Sequence, residues 1–534
     1  MAAPAAPARD NSRLLTMPLE ILQQIARHLT TPEYGNLRLT CRHLEASVFN
    51  AFSREFFLKK QFMITHFSLQ ALVDISNSRL ADGLRHIVMG VERLSQRILP
   101  GNHQPDHVKR IKYREEYIDH HALLASGHDI EMMAQAFANL KNLEIVEIRD
   151  FRSVSRFRDA PDTEWKSYGT KTFEAETGVQ LESPANYGSA SRAEEASNHI
   201  SRLFQNMLRA LGRVSVYPKR LEVNLRHSGL DEKAFKFQKY DESAIFPVLA
   251  GLEHLNLDLY SGFFLPDFFV QDHDNNSGTA CSTYHIRRFF FLVDKVQHLR
   301  LNFQSIRSQE ARELISWLSK SPPGSSSSAS FCSPQSSLSE SPPPVLFKDL
   351  RQLEIGKVVV EPKVLLALLH KHKSTLRGIE LHRLGLLDTS QSQGRHNQWS
   401  KLFGQMAKLG LNLNHIATSA LSQERERREQ VRRVLFKDSP NGRRTWQGQD
   451  LDGALKDLVN NVVVDWPDQD TESSQFDSDE DSEADDILDD MLDDIDPGQE
   501  EEDEESDMDM DDIINASLHA LAQQLPLYPI IGPD

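Results

Sequence analysis

The sequence of 534 residues has few cysteines and lacks long apolar runs. Its three thiols, Cys41, Cys281 and Cys332, lie far apart, and an odd number of cysteines is typical of reduced proteins in the cytosol or nucleus. No apolar run reaches the roughly eighteen residues of a membrane helix, so we expect no membrane association. The Ala/Pro-rich residues 1–13 lack the apolar centre of a signal peptide and are predicted to be disordered.

Motifs for catalysis are also lacking. The sequence contains no glycine-rich phosphate loop of the Walker or dinucleotide-binding type, no H-E-x-x-H zinc motif and no C-x-x-C pair. The carboxylates near the C-terminus are numerous but lack the fixed spacing of a calcium-binding loop. We therefore expect no catalytic residues, no metal site and no cofactor.

Basic residues are absent from residues 477–512, which contain 22 Asp or Glu. Because the whole chain has a net charge of -18, the remainder is close to +4. Self-repulsion predicts a disordered acidic tail over residues 468–534. Apolar residues recur at helical spacing between Ile487 and Ile495, and again between Ile513 and Leu521. They predict a short amphipathic helix, in a tail that either solubilises the chain or binds a basic partner.

Residues 14–52 form the stretch around which the remaining sequence is organised. Pro18 and Glu20 suit the first turn of a helix, and Ile21, Leu22, Ile25 and Leu29 recur at helical spacing. Thr31-Pro32-Glu33 begins a second helix, and Thr40 is predicted to cap a third that continues to Phe52. Three short helices cannot bury this many apolar side chains among themselves, so we expect the surplus to bind another protein.

This stretch resembles an F-box, particularly through Met17-Pro18-Leu19-Glu20-Ile21-Leu22 and Leu37-Arg38-Leu39-Thr40-Cys41-Arg42. The likeness is to F-box proteins of filamentous fungi, in which a long repeat region follows the motif. The resemblance implies binding to the Skp-type adaptor of a cullin–RING ubiquitin ligase. The residues it implies for adaptor binding are Pro18, Ile21, Leu22, Ile25, Leu29, Leu37, Leu39 and Leu44.

A recurring pattern of an amphipathic helix followed by an L-x-x-L-x-L strand fills residues 53–415. Predicted helices lie at 68–79, 129–138, 197–211, 243–250, 283–293 and 308–319 and after Pro362, and each precedes one strand. The strand triplets are Leu84/Ile87/Met89, Leu143/Val146/Ile148, Leu221/Val223/Leu225, Leu252/Leu255/Leu257, Val296/Leu299/Leu301, Leu350/Leu353/Ile355 and Leu376/Ile379/Leu381. One unit cannot bury its own apolar face, so the units are predicted to stack.

The pattern resembles an irregular leucine-rich repeat, and the predicted fold class is α/β, with an F-box followed by a solenoid. Two features depart from regular repeats. The intervals between copies are uneven, and Asn is absent from the position three residues beyond each strand. An open α/β sheet without repeat ancestry is the alternative. In a solenoid, the strand positions on the concave face are substrate-binding candidates: Glu147, Arg149, Asn256, Asp258, Arg300, Asn302, Glu354, Glu380 and His382.

Other segments interrupt or follow the predicted repeats. Residues 152–196 are polar and predicted to be loops, and the Ser/Pro-rich composition predicts a disordered insertion over 319–345. Residues 416–467 are predicted to form a charged helix, over 422–437, and a linker. Its arginines are interleaved with Glu424, Glu426 and Glu429, so nucleic acid is not an expected partner.

Taken together, the resemblance predicts a non-catalytic substrate adaptor of an SCF-type cullin–RING E3 ubiquitin ligase. The F-box would bind the Skp-type adaptor, and the repeat region would bind an unknown protein substrate in the cytoplasm or nucleus. Two alternatives remain open at this stage. One is a nuclear scaffold or histone chaperone-like protein that acts through its acidic tail. The other is an F-box protein that serves as a structural subunit outside any ligase.

Overall fold

The computed structural model describes residues 13–94, 107–152, 158–159, 165–181, 190–260, 283–304, 306–322, 342–389, 395–425, 431–439 and 442–466. These residues fall into two compact units. The first contains the described residues up to Leu143 and those between Phe151 and Glu182, and the second contains Glu144–Asp150 and those from Ser183 onward. The predictions for residues 468–534 and for residues 1–12 lie outside the described ranges. Within those ranges, no helix combines the length and apolarity that a bilayer crossing requires.

The first unit begins with three short helices. Its elements are α1 Leu19–Arg27, α2 Thr31–Leu39, α3 Arg42–Phe57, β1 Lys59–Phe62, α4 His66–Ser76, β2 His86–Gly90, α5 His107–Ser126, α6 His128–Asn139 and α7 Thr170–Thr177. Strands β1 and β2 pair in parallel. Helix α3 extends past the predicted boundary at Phe52 and buries Phe56 and Phe57. The first three helices therefore belong to the same compact unit as the following layer.

Local sequence explains the break between α1 and α2. The Glu33 carboxylate accepts a hydrogen bond from the Thr30 backbone N–H at 2.9 Å, and this bond lowers the pKa of Glu33. The prediction that Thr40 caps the third helix was wrong, because Cys41 precedes α3 and the Thr40 hydroxyl donates to the Leu37 carbonyl at 2.7 Å. Thr40 thus closes the end of α2 instead.

The second unit alternates strands and helices before ending in a small antiparallel region. Its elements are β3 Ile145–Arg149, α8 Ala190–Val214, β4 Arg220–Asn224, α9 Glu242–Ala250, β5 His254–Leu259, α10 Tyr284–Leu292, β6 His298–Phe303, α11 Gln309–Ser319, β7 Gln352–Val360, α12 Pro362–Lys371, β8 Gly378–Asp388, α13 Gln398–Met406, β9 His415–Ser419, β10 Ser422–Arg425, β11 Val431–Phe436, β12 Arg444–Gln447, α14 Leu451–Asn461 and β13 Val462–Val464.

Strands β3 to β8 of this unit pair in chain order, all in parallel. Beyond them, β9 pairs with the first half of β8 and β10 with its second half, both in parallel. Strands β11, β12 and β13 add to this edge in antiparallel pairs. The predicted alternation is confirmed in the parallel strands, whose apolar positions are buried in cross-strand register: Val146, Leu221, Leu255, Leu299, Leu353 and Ile379, then Ile148, Val223, Leu257, Leu301, Ile355 and Leu381.

Successive helices contact one another alongside the sheet. Helix α8 contacts α9, α11 contacts α12, and α13 contacts both α12 and α14. The rings of Phe290 on α10 and Trp317 on α11 stack with their centroids 6.3 Å apart. Helices α11 and α13 also contact β7 and β8. The apolar face of the sheet is therefore buried against helices, as the alternating pattern requires.

Side-chain hydrogen bonds connect the turns that follow strands β3, β4 and β6. Asp150 accepts hydrogen bonds from the backbone N–H groups of Arg226 at 2.7 Å and His227 at 2.9 Å. Gln304 lies three residues beyond the Leu301 position, where a regular leucine-rich repeat has Asn. Its Nε2 donates to the Leu225 carbonyl at 3.0 Å. Carboxylate and glutamine side chains thus satisfy turn groups in place of an asparagine ladder.

Three non-glycine residues have left-handed backbone at equivalent places in the last parallel strands. Lys357, Arg383 and Ala420 have φ angles of 54°, 47° and 48°. Each lies two residues beyond a strand position on the helix-facing side, namely Ile355, Leu381 and Thr418. A left-handed residue costs about 1–2 kcal/mol for a side chain with a Cβ. Because the left-handed conformation recurs at equivalent positions, these strands share one local backbone conformation.

The structure corrects several predicted boundaries. In place of the helix predicted over 422–437, the described part of this range forms β10 and β11, and Val434 and Phe436 are buried at alternating positions of β11. The body therefore extends to Trp466 rather than ending at residue 415. Within the predicted insertion 319–345, Ser319 ends α11 and Val345 is buried. Likewise, α7 and the start of α8 lie within 152–196, which was predicted to be loops.

Candidate functional site

Helices α1 to α3 enclose an aromatic core of their own. The Tyr34 ring packs edge-on against Phe52, with centroids 5.6 Å apart, and Phe52 lies 4.6 Å from Phe56. The Arg38 guanidinium lies 4.0 Å from the centroid of the Phe52 ring. Burial, followed by the nearby charge of Glu55, raises the pKa of Tyr34 to about 12. The second helix is therefore anchored by its aromatic residue.

One arginine from outside these helices contacts all three of them. Arg158 donates from Nη2 to Glu55 Oε2 on α3 at 2.7 Å and from Nη1 to the Leu29 carbonyl after α1 at 3.1 Å. Its guanidinium also lies 4.9 Å from the centroid of the Tyr34 ring on α2. The side chain is only 2% exposed. Sequence reasoning missed this residue, since it lies in a stretch predicted to be loops.

The predicted adaptor-binding residues divide into three groups by exposure. Pro18, Ile21 and Leu39 are exposed, whereas Ile25, Leu29 and Leu37 are half-buried. Leu22 and Leu44 are buried, so these two hold the helices together rather than forming a surface. Two further leucines that the prediction omitted, Leu14 and Leu19, are exposed. Leu19 lies within the quoted motif and was detectable from its position beside Pro18.

These exposed residues are apolar side chains that the three helices leave uncovered. Leu14, Leu19, Ile21 and Leu39 keep between 37 and 44% of their surface accessible. Large aliphatic side chains scattered singly on a surface need no explanation. Here, however, four of them fall within 26 residues, from 14 to 39, of a small helical unit that has already filled its core. We call Leu14, Pro18, Leu19, Ile21 and Leu39 the apolar surface.

Comparison with known protein families accounts for this helical unit. A family model described as the F-box domain matches residues 14–50. The chain contains an F-box domain. F-box domains typically bind a Skp-type adaptor within cullin–RING complexes and are generally non-catalytic. No curated protein matches the chain.

In this F-box protein, the second unit presents a polar sheet face opposite its helix-covered side. Cross-strand neighbours on this face form three rows, which together we call the polar face. The first row is Arg220, His254, His298, Gln352, Gly378 and His415; the second is Glu147, Glu222, Asn256, Arg300, Glu354, Glu380 and Ala417; the third is Asp258, Asn302, Gly356, His382 and Ser419.

The substrate-binding candidates predicted from strand register come together on this face. Eight of the nine lie in the second and third rows, and Arg149 lies opposite Asn224 at the end of β3. Sequence reasoning missed Arg220, His254, His298, Gln352 and His415 in the first row. The same alternation could have found them, because each lies two residues before a position on the same face.

Hydrogen bonds join side chains of the polar face both within a strand and between neighbouring strands. Gln352 donates from Nε2 to Oε1 of Glu354 at 2.9 Å and to Oε1 of Glu380 at 3.1 Å. His298 Nε2 lies 2.5 Å from the same Glu354 oxygen, and His415 Nε2 lies 2.9 Å from Glu380 Oε1. At the other side of the unit, Arg149 contacts both oxygens of Glu147, at 2.8 and 3.0 Å.

Burial and neighbouring charge set the pKa values on this face. Burial alone would raise the pKa of Glu354, but hydrogen bonds from His298 and Gln352 and the charge of Arg300 hold it below its usual value. Burial, aided by the charges of His298 and Arg220, lowers the pKa of His254 to about 4. Near neutral pH the face therefore carries ionised Glu354 beside uncharged His254.

Not every predicted candidate is accessible to a partner. Glu147 and Asp258 are buried, and the Asp258 carboxylate accepts a hydrogen bond from the Leu225 backbone N–H at 2.6 Å. These two residues therefore stabilise the sheet and its turns. Asn302 and Glu354 are also buried. The half-buried candidates are Arg149, Asn256, Arg300, Glu380 and His382.

Proposed function

We propose that this F-box protein is the substrate-recognition subunit of an SCF-type cullin–RING E3 ubiquitin ligase. Its F-box would bind a Skp-type adaptor, and the polar face of its second unit would bind a protein substrate. The observation that carries the proposal is the apolar surface left outside a filled F-box core. The complex would act in the cytoplasm or nucleus.

The apolar surface supports adaptor binding on energetic grounds. Fully burying one aliphatic side chain is worth about 1.5–3 kcal/mol, before the costs of association are subtracted. Leu19 and Ile21 lie on α1 and Leu39 ends α2, so two helices contribute to the surface. An adaptor groove that receives these helices would exclude water from several such side chains at once.

In this role the chain performs no covalent chemistry. A receptor of this kind accelerates ubiquitin transfer by holding an acceptor lysine of the substrate near the charged ubiquitin carrier. Its contribution is a raised effective concentration, which needs two independent binding surfaces on one chain. The apolar surface and the polar face supply surfaces of different chemistry for the two partners.

The adaptor-binding half of the proposal is tested with Ile21→Asp in the full chain. We expect the affinity for a purified Skp-type adaptor to fall by at least about 100-fold, because a carboxylate would enter an apolar interface. The melting temperature should stay within about 2 °C, since Ile21 is exposed. Val108→Asp is the matched control, as Val108 is an exposed aliphatic on α5 in the same unit. Equal adaptor binding by wild type and Ile21→Asp would contradict the proposal.

Substrate binding is tested with Arg300→Ala and His382→Ala together. Both residues are half-buried on the polar face, so a partner can reach them. We expect proteins that are retained by the wild-type chain to be lost, while the adaptor still co-purifies. If the same proteins are retained by the double variant, the substrate site lies elsewhere.

The acidic tail and the cullin distinguish the remaining functions. A structural F-box subunit would retain the adaptor without a cullin, whereas a ligase subunit would retain both. A histone chaperone-like protein would bind histones through its tail, so removing residues 468–534 would abolish its chief activity. We expect the cullin to co-purify with the intact chain and with the chain that lacks the tail.

A further inference from the structure

Helix α5 of the first unit is buried along one side and accessible along the other. Its buried residues are Tyr113, His120 and Leu123. On the accessible side, exposed apolar residues recur at the spacing of a coiled-coil seam: Val108, Ile111, Ile118, Ala122 and Ala125. We call these five residues the α5 stripe.

The large residues of the α5 stripe are unusually accessible. Val108, Ile111 and Ile118 are 74%, 47% and 55% exposed. Aliphatic side chains are commonly exposed one at a time, whereas these three lie along one side of a single helix. Glu115 is the one polar residue at this spacing between positions 108 and 125. The α5 stripe is therefore an unpartnered helix face with a single charge within it.

Charges of opposite sign lie on the two edges of the α5 stripe. The spacing of a helix places Arg110 and Arg114 along one edge, and Glu115 and Asp119 along the other. All four are exposed. Within the described chain, Arg114 and Asp119 form neither a hydrogen bond nor an ion pair. We call these two pairs of residues the basic edge and the acidic edge.

The groups next to these edges do not neutralise them. Lys112 adjoins the acidic edge, but its Nζ already contacts Glu116 at 2.9 Å. A cavity beside Asp119 is lined by His66 and Asp74 of α4, among others, and by no lysine or arginine of the described residues. Next to the basic edge, His121 Nε2 lies 2.8 Å from the Tyr117 hydroxyl. The two edges therefore keep opposite charges.

Within α5 itself, both edges are unfavourable. Arg110 and Arg114 are four residues apart, and so are Glu115 and Asp119. Like charges at this spacing repel one another and destabilise a helix. Opposite charges supplied by a neighbouring molecule would relieve both repulsions. The occupant of the α5 stripe should therefore have an apolar seam with one acidic and one basic edge.

A second copy of α5 has this chemistry. When two such helices lie side by side in the same direction, each basic edge faces the acidic edge of the other helix. Arg114 of each copy then lies near Glu115 and Asp119 of the other. In an antiparallel pair, like edges would face each other. The acidic segment between Ile487 and Ile495 would be repelled by the acidic edge.

We propose that two copies of this chain form a two-fold symmetric dimer through parallel α5 helices. Such a dimer is isologous, because each copy contributes the same residues to the interface. A single helix pair is smaller than a standard interface, so we expect reversible association with a Kd on the order of 10 µM. The dimer would carry two copies of every other binding surface of the chain, which adds avidity for a ligand with two binding sites.

Exchanging charges between the two edges tests the pairing. Sedimentation velocity of the purified full chain, from about 1 to 100 µM at low salt, measures the Kd of the dimer. We expect Arg114→Glu and Asp119→Arg each to raise it at least about fivefold, because two like-charge contacts replace two attractive ones. An equimolar mixture of the two variants should return to within about threefold of the wild-type Kd, since opposite charges then meet at both contacts.

Both residues are exposed, so the melting temperatures should stay within about 2 °C of the wild-type value. A wild-type chain that remains monomeric at 100 µM would overturn the proposal, including the case in which α5 binds a different protein. Single variants that dimerise as tightly as wild type would also overturn it. If the mixture associates no better than either variant alone, the parallel pairing of the edges is wrong.

The apolar part of the interface is tested with Ile118→Asp. We expect the Kd to rise at least about tenfold, because a carboxylate would replace an aliphatic side chain at the centre of the seam. Leu346→Asp is the matched control, as Leu346 is an exposed aliphatic of the second unit that lies outside any helix or strand. It should keep the wild-type Kd. An equal effect of the two substitutions would overturn the assignment of the α5 stripe.

Discussion

The two candidate binding surfaces differ in what they leave unsatisfied. The F-box has a filled aromatic core around Phe52, yet it leaves Leu14, Leu19, Ile21 and Leu39 between 37 and 44% exposed. The polar face of the second unit consists largely of polar side chains, and its carboxylates accept hydrogen bonds from side chains of their own and of neighbouring strands. One surface has apolar area available to bury, whereas the other has already used much of its hydrogen-bonding capacity.

This difference predicts different kinds of binding. An adaptor that covers the F-box leucines only has to displace water, which is favourable. A substrate on the polar face has to compete with bonds such as those of Gln352 to Glu354 and Glu380, so the net gain per contact is small. We therefore expect adaptor binding to be the tighter event and substrate binding to depend on geometry.

The largest expected effect comes from emptying the F-box core. Phe52→Ala removes a fully buried ring that packs against Tyr34 and Phe56. We expect the free energy of unfolding of the first unit to fall by about 3–5 kcal/mol, with adaptor binding lost as a consequence. Chemical denaturation followed by circular dichroism measures the change. A stability loss below about 1 kcal/mol would show that the aromatic cluster is not a core.

Removing the arginine that contacts all three F-box helices should have the next largest effect. Arg158→Ala leaves Glu55 without its buried partner and removes a donor from the Leu29 carbonyl. We expect a loss of about 3 kcal/mol in unfolding free energy. Arg158→Lys is the informative control, because it keeps the charge but lacks the planar fork, and it should recover only part of the loss. Full recovery of the unfolding free energy in Arg158→Lys would mean that the positive charge alone accounts for the stabilisation.

On the polar face, pH should distinguish the second unit from the first. The pKa of His254 falls from 6.5 to about 4 on folding, so the unfolded chain binds a proton that the folded chain does not bind in this range. Stability is therefore fully present above pH 6.5 and is lost as the pH falls toward 4, by about 1–2 kcal/mol. Hydrogen exchange of β5 at pH 5 and pH 7 measures this loss. His254→Gln should reduce it, and an unchanged pH dependence in that variant would exclude His254 as its source.

The smallest effect concerns the left-handed residues of the last parallel strands. Ala420 has a φ of 48°, and glycine adopts this conformation without steric cost. We expect Ala420→Gly to stabilise the second unit by about 0.5–1 kcal/mol, because relief of backbone strain exceeds the added entropy of the unfolded chain. Thermal unfolding measures the gain. Ala417→Gly, at a regular strand position of β9, should be destabilising instead.

The spacing of apolar residues close together in the sequence predicted much of this structure. Alternating leucines placed the parallel strands correctly, since a strand buried on one face must repeat every second residue. Helical spacing placed Ile21 and Leu22 on α1, and the family match agrees with the motif. The candidates on the polar face came together because strand register follows from the same alternation.

Long-range contacts account for the errors. The basic stretch 422–437 was predicted as a helix from its charges, but its described part forms strands because β8 offers a free edge to β10. Leu22 and Leu44 have the same chemistry as Ile21 and Leu39, and only the packing of three helices separates buried from exposed. Arg158 had no local signal, because its partners lie more than 100 residues away.

The sequence by itself determined the alternation of helices and parallel strands up to β8, which face of each of these strands is apolar, and that residues 14–50 form an F-box. These properties depend on neighbours within one or two turns of the chain. Tertiary structure alone decided which F-box leucines remain for a partner and which carboxylates of the polar face are already bonded. Exposure and pairing depend on side chains brought together from distant positions, and local periodicity contains no information about that assembly.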